Sequence, residues 1–322
     1  MDKKLHMSVA PHIHCGRSTA EIMRDVVIAL VPAAGAGIII FGLKALLVIA
    51  VCVASCIGLE ALFNYIVKKE QTIGDYSAAV TGLILALSLP ADIPVWQCVI
   101  GSAFAIIIVK CLFGGLGHNV VNPAVTAKVF MIVSFATTAT KSASPIFTGV
   151  ESGANTLESI STGGSFDFTS LLVGAHDGAI GETCVIALLW GFVYLLISGV
   201  ISWQIPVTFV GSTFLFSFLL VGDAGRALAL TLSGGLLLGA IFMATDYVTS
   251  PATAWGKVIF GVGCGLVTFL IRFAAIPIEV DGVLTTFGKF TEGVAFAILL
   301  MNILTPYIDK LTTRKIFGGK KV

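Results

Sequence analysis

The sequence predicts an all-α integral membrane protein of about ten transmembrane helices, and three observations carry that prediction. Of 322 residues, 57% are hydrophobic and 11% charged, whereas a water-soluble domain carries roughly 25% charged residues. The mean hydropathy is +1.00. The apolar residues fall in long unbroken runs, not in the short alternating strands of a membrane barrel, and helices satisfy their own backbone hydrogen bonds in lipid.

The elements follow in order. Residues 1–24 form a polar arm with Lys3, Lys4, Arg17 and Arg24, and no small-residue cleavage pattern follows the first apolar run, so a retained cytoplasmic arm is expected instead of a signal peptide. His12 and His14 stand in this arm close to Arg17 and Asp25; they suit either half of a metal site or a partner-facing surface. A span needs about 20 apolar residues, fewer where a helix is broken or buried. Candidate spans are 25–43, 45–67, 77–90, 95–113 and 124–140, making a first transmembrane half over 25–140. A second half over 183–308 contains 183–200, 204–221, 227–244, 257–274 and 291–308. An even number of spans puts both ends on one side. The tail 309–322 is basic (Lys310, Arg314, Lys315, Lys320, Lys321), as are Lys68 and Lys69 after the second span. The positive-inside rule therefore makes both termini cytoplasmic.

Between the halves lies 141–182, a long polar segment with Glu151, Glu158, Asp167, Asp177 and Glu182 against Lys141. Counting spans places it outside the cytoplasm, and its acidity agrees. The short third span ends in Pro90-Ala91-Asp92-Ile93-Pro94, and Pro206 interrupts the second half. Interrupted hydrophobic segments in both halves point to an inverted-repeat fold with a midplane site.

Charged residues in a membrane are costly and invite a functional reading. Here Asp75, Lys110, Asp223, Arg226, Asp246, Lys257, Arg272 and Glu292 fall at expected span ends, where they anchor helices at the interface, and no buried chain of carboxylates is expected. Most of the seven cysteines lie within apolar runs. Cys52 and Cys56 share a helix face, either as packing residues or as a thiol pair.

Two loops offer chemistry. Gly114-Gly115-Leu116-Gly117-His118-Asn119 precedes Asn122-Pro123-Ala124. Glycines permit close approach or positive φ, and the asparagines and His118 supply polar edges. The segment suits a heterocyclic ring, an ion, or a tight turn; it lacks the Lys-Ser/Thr of a phosphate loop. Thr245-Asp246-Tyr247-Val248-Thr249-Ser250-Pro251 has the same alternatives. In the polar segment, Thr156 follows the small residues Ser152, Gly153 and Ala154. Its hydroxyl can anchor a phosphate ester if a partner enzyme activates it, or it belongs to a solvated loop.

At these residues the chain resembles the family of RnfD proteins, membrane components of Rnf complexes, which are ion-translocating ferredoxin:NAD oxidoreductases. It is more distantly similar to the NqrB proteins of sodium-pumping NADH:quinone reductases. The resemblance runs nearly end to end. It rests on Ser8-Val9-Ala10-Pro11-His12-Ile13, Arg17-Ser18-Thr19, Asp25 through Ala33, the Gly114–Asn119 and Asn122–Ala124 segments, Gly178 through Thr183, Met243 through Pro251, and Glu292 through Ala297. It implies a urea-transporter-like inverted repeat and FMN joined through its phosphate to a threonine of the extracytoplasmic loop. Asn155 stands where that motif has threonine, so Thr156 is the expected attachment, with Thr162 as substitute and Ser152, Gly153 and Ala154 beside it. Relatives also hold riboflavin non-covalently within the helices, with no residue assigned to it; His118 and Asn122 are separately candidate cofactor-binding residues. The implied function is the flavin-bearing membrane component of a redox-driven Na+ or H+ pump in the inner (plasma) membrane, relaying electrons between ferredoxin and NAD and inactive alone. The implied partners are other Rnf subunits: a second covalent flavoprotein, iron–sulfur membrane subunits, and soluble NAD- and ferredoxin-interacting subunits. Lipid surrounds it; no nucleic acid is expected. A non-redox carrier or channel for a small neutral solute is the alternative, and a flavin-free docking scaffold is a third.

Overall fold

The computed structural model describes residues 17–146, 160, 167–274, 278–280, 283–285 and 293–313. His12, His14, Ser152, Gly153, Ala154, Thr156 and Thr162 lie outside the described residues.

Helix α1 (Thr19–Phe41) starts at a capping box, in which the Ser18 hydroxyl accepts from Glu21 N–H and the Glu21 carboxylate accepts from Ser18 N–H. This arrangement satisfies two orphan donors of the first turn. Gly42, at φ 70°, reverses the chain into α2 (Leu43–Val67). After a 3₁₀ turn come α3 (Ser77–Leu87), α4 (Val95–Ala103, continued by a π-helical stretch Phe104–Cys111) and α5 (Pro123–Ser134). The second half holds α6 (Val185–Ile197), α7 (Gln204–Val221), α8 (Ala224–Leu232), α9 (Leu236–Met243, with π geometry from Gly239), α10 (Ala254–Ala274) and α11 (Gly293–Thr312). An antiparallel pair, Ile278–Val280 with Val283–Thr285, lies between α10 and α11.

Every apolar run expected to span contains helix, but the lengths differ from expectation. Among the described residues, α1, α2, α7, α10 and α11 are long and apolar enough to cross a membrane. The α8–α9 pair adds a sixth if its 64° bend is one broken span, while α3, α4, α5 and α6 are shorter apolar helices. The short ones stop where the chain needs polar caps: α5, for example, begins only at the Asn122 cap with Pro123 in the first turn. Large apolar side chains such as Leu43 and Ile197 project outward, and all four tryptophans are exposed. Such a surface is suited to lipid, with indoles at its borders. Helices α7 and α10 approach closely along Gly261 and Gly265, whose missing Cβ atoms would stand 2.0 Å from Thr208 Oγ1 and 2.0 Å from Ser212 Oγ. Small residues at i, i+4 are how helices gain dispersion contact where lipid removes the hydrophobic drive.

Candidate functional site

Two cavities lie within the helix bundle, and α5 contributes to the walls of both. The first has about 740 Å³ of empty space including its mouth, and its wall includes Ser77, Thr81, Lys110, Asn119, Asn122 and Asp246. Asn122 caps α5: its Oδ1 accepts from Ala124 N–H (3.0 Å) and Val125 N–H (3.3 Å). Its Nδ2 donates to Met243 O (3.1 Å) at the end of α9. One side chain thus closes an N-terminus and occupies a carbonyl of the facing helix. Asn119 is 8% exposed, and its Oδ1 is buried with no hydrogen-bond partner. An unmade buried acceptor costs about 1–3 kcal/mol, and this one belongs to a residue of the cavity wall. Both π-helical stretches reach this cavity, the first through Lys110 and the second through Ile241 and Phe242. Desolvation pushes the Asp246 carboxyl above the usual carboxylate range, opposed by hydrogen bonds from Val248 N–H and the Thr249 hydroxyl.

Behind that wall lies a buried polar network. Lys110 (1% exposed) sits between Glu60 (2% exposed) and Ser77, at 2.9 and 2.8 Å from the two carboxylate oxygens and 2.6 Å from Ser77 Oγ. Thr72 donates to Glu60 Oε1 (2.6 Å), Asn64 Nδ2 donates to Thr72 Oγ1 (3.0 Å), and Ser77 donates onward to Asp75 (2.5 Å). Lys110 is therefore not an interfacial anchor, contrary to its expected place at a span end, and a buried carboxylate, Glu60, stands in α2 where none is expected from the sequence.

The second cavity is walled by Lys128, Lys141, His176, Asp177, Glu182 and Arg272, with Gly234 and Gly235 at the α8–α9 break. Lys128 and Glu182, each 4% exposed, pair at 3.0 Å. Arg272 donates to Leu230 O (2.7 Å) and Ser233 O (3.4 Å), occupying the carbonyls that the end of α8 leaves open. Glu182 belongs to a segment that docks by backbone: Ile180 N–H donates to Leu89 O (3.1 Å) and Gly181 N–H to Leu87 O (2.8 Å). Gly181 has to lack a side chain, because a Cβ would stand 2.6 Å from Leu87 Cβ. Ala143 and Gly178 exchange two hydrogen bonds of 3.1 Å, and Ile146 N–H donates to Ile40 O (3.0 Å). The two roots of the long polar segment are thereby tied to each other and to α1.

Of the residues picked from sequence, Asn122 lines the first cavity, with Thr245, Asp246, Tyr247 and Val248 from the second loop. His118 is exposed and outside the wall; its neighbour Asn119 takes that place. Cys52 and Cys56 are buried in α2. Among the described residues, no group of three His, Cys, Asp or Glu side chains is disposed to hold a metal ion. The residues sequence reasoning passes over are Glu60 and Lys128. Glu60 is findable: Val48, Cys52, Cys56, Glu60 and Asn64 are all buried at a spacing of four, so the face marked by the two cysteines continues to the carboxylate.

These features define a multi-pass, mainly helical membrane protein with two cavities whose walls carry polar and charged side chains. The chain belongs to the NQR2, RnfD, RnfE family, which it matches over residues 6–318. It is similar to the RnfD-type component of the Na(+)-translocating ferredoxin:NAD(+) oxidoreductase complex of Acetobacterium woodii, 41% identical over 323 residues, covering 99% of this chain and 96% of the relative. The corresponding component of the proton-translocating ferredoxin:NAD(+) oxidoreductase complex of Clostridium ljungdahlii is 36% identical, with 98% and 96% covered. That of the ion-translocating oxidoreductase complex of Stutzerimonas stutzeri is 34% identical, with 94% and 92% covered.

Proposed function

We propose that this chain is the membrane component of an Rnf-type ion-translocating ferredoxin:NAD+ oxidoreductase, and that it carries FMN esterified to Thr156. The observation that carries the reading is 41% identity across nearly the whole length of a relative from a complex bearing that name. In this reading the ten apolar helical segments form a urea-transporter-like inverted repeat in the inner (plasma) membrane, with both termini cytoplasmic. The first cavity then faces the cytoplasm, and the second lies beneath the extracytoplasmic loop. Partners are the other Rnf subunits: a covalent flavoprotein, iron–sulfur membrane subunits, and soluble subunits that meet NAD and ferredoxin.

FMN supplies the ability to take electrons singly or in pairs, while protein groups set its position and potential. The chain's own part is placement. The paired roots of the polar segment at Ala143 and Gly178 hold its ends beside Glu182 and Lys128. At the first cavity, a planar ring with a hydrogen-bonding edge fits the residues present. Asn119 Oδ1 is a buried acceptor without a hydrogen-bond partner among the described residues, and the surrounding Val26, Val80, Ile84 and Leu195 are apolar. Riboflavin is the group of that kind proposed for this cavity.

The test is in-gel flavin fluorescence of the denatured polypeptide from the assembled complex. A signal on this chain that disappears in Thr156→Ala is expected. A signal that persists in that variant moves the attachment elsewhere. A colourless wild-type protein that conducts a neutral solute in vesicles would replace the reading with the carrier alternative.

A further inference from the structure

The Lys128–Glu182 pair calls for its own explanation. A buried ion pair is weak grounds for stability, because desolvating two charges offsets most of their attraction. Ionisable groups among membrane helices usually mark a pathway. This pair lines a cavity and does not sit in solid packing. Gly235 makes room for it, since a Cβ there would stand 2.4 Å from Glu182 Oε1.

We propose that Glu182 is a binding site for a monovalent cation and that Lys128 is its tethered, exchangeable counter-ion. Among the described residues, the other titratable side chains that line this cavity are Arg272 from α10 and Lys141, His176 and Asp177 from the segments around it. Arg272 donates to the α8 carbonyls, and Lys128 is the ammonium that pairs with Glu182. Its four-carbon stem lets the charge withdraw while the backbone stays in place. Two buried polar atoms of the same stretch of chain have no hydrogen-bond partner among the described residues: the hydroxyl of Thr183, next in sequence to Glu182, and Nε2 of His176. His176 Nδ1 lies 3.1 Å from Asp177 O; a carbonyl only accepts, so Nδ1 carries a proton.

The barrier between this site and the first cavity is thin. Helix α5 contributes Ala124 to one cavity and Lys128 to the other, and α9 runs from Gly235 at the second to Ile241 at the first. At 1.5 Å per residue these separations are roughly 6 and 9 Å. Buried Val125, Ala127, Leu237 and Ala240 fill the intervening turns. A cation crossing that barrier meets Glu182 next. The proposal deepens the functional reading above and rests on it for the choice of Na+ or H+ as the ion.

The test uses the purified complex and four forms: wild type, Glu182→Gln, Lys128→Met and the double variant. Each single variant removes one charge of the buried pair, whereas the double variant removes both and is expected to assemble with its flavin. In proteoliposomes driven by reduced ferredoxin and NAD+, one arm follows 22Na+ uptake and the other acidification of the lumen. Whichever ion the wild type moves, ions per electron should fall at least tenfold in Glu182→Gln and in the double variant. In the sodium arm, Lys128→Met should lower the half-saturating Na+ concentration at least tenfold. Unchanged coupling in the double variant, or unchanged half-saturation in Lys128→Met, overturns the proposal. Flavin on this chain is scored separately by in-gel fluorescence. A flavin-free wild type would end the functional reading, while 22Na+ equilibrium binding to wild type against the double variant would still decide for or against this site.

Discussion

Replacing Glu60 by Gln should be among the most destabilising single changes in the bundle. The substitution keeps the shape and removes the charge. Lys110 then retains Ser77 Oγ at 2.6 Å and loses a carboxylate that approached it at 2.8 and 2.9 Å. Thr72, which donated to that carboxylate, meets an amide instead. Removing one member of a buried pair costs about 3–5 kcal/mol, because the remaining charge is left in a low-dielectric site. Asp75 reaches Lys110 only through Ser77, so it cushions the loss without cancelling it, and the expected cost lies near the lower bound, about 3 kcal/mol. At about 1.4 kcal/mol per decade this raises the unfolded fraction about a hundredfold. The double variant Glu60→Gln/Lys110→Met removes both charges and should recover to within about 1 kcal/mol of the parent. Equilibrium unfolding of the purified protein in mixed micelles measures all four corners of the cycle. A Glu60→Gln cost below about 1 kcal/mol, or a double variant no better than the sum of its singles, would refute the reasoning.

Gly265→Leu should separate α7 from α10, since even its Cβ would meet Ser212 Oγ at 2.0 Å and Phe209 O at 3.0 Å; overpacking of this kind costs about 1–3 kcal/mol, read as lost thermostability in detergent. Gly211→Ala, whose Cβ would meet nothing within 4 Å, is the control and should be neutral or stabilising by up to about 1 kcal/mol. Asn122→Ala should cost about 1–2 kcal/mol through the lost cap and also expose Met243 O. Asn119→Ala removes an oxygen that makes no internal bond, so it should lower non-covalent flavin per polypeptide in acid extracts by at least about fivefold at little cost in stability. Equal flavin in Asn119→Ala and the parent would dissociate this cavity from flavin.

Local patterns in the chain are readable and long-range ones are not. Each apolar run becomes helix because a membrane-length stretch of leucine, isoleucine, valine and phenylalanine has few alternatives in lipid. Asn122-Pro123 reads as a helix start from residue types alone, and it is one. The 64° bend is not readable in detail: Ser233-Gly234-Gly235 signals a break, but the carbonyls it frees are met by Arg272, 39 residues beyond Ser233. Nor are the buried pairs. Lys110 reads as interfacial on a straight α-helix, whereas the chain there is π-helical and Lys110 faces Glu60, 50 residues earlier. Lys128 carries no signal in the sequence of its partner Glu182, 54 residues later.

The reciprocal bonds between Ala143 and Gly178 have a mechanical consequence. The segment closes on itself at Ala143 and Gly178, and Ile146, Ile160 and Leu171 fasten it to the bundle. Doubling such a ring costs only about 0.6 kcal/mol in closure entropy. Insertions or deletions between these anchor points can be absorbed with Ala143, Ile146, Ile160, Leu171 and Gly178 kept as the sockets, while a change at the sockets themselves pulls directly on the helices they touch.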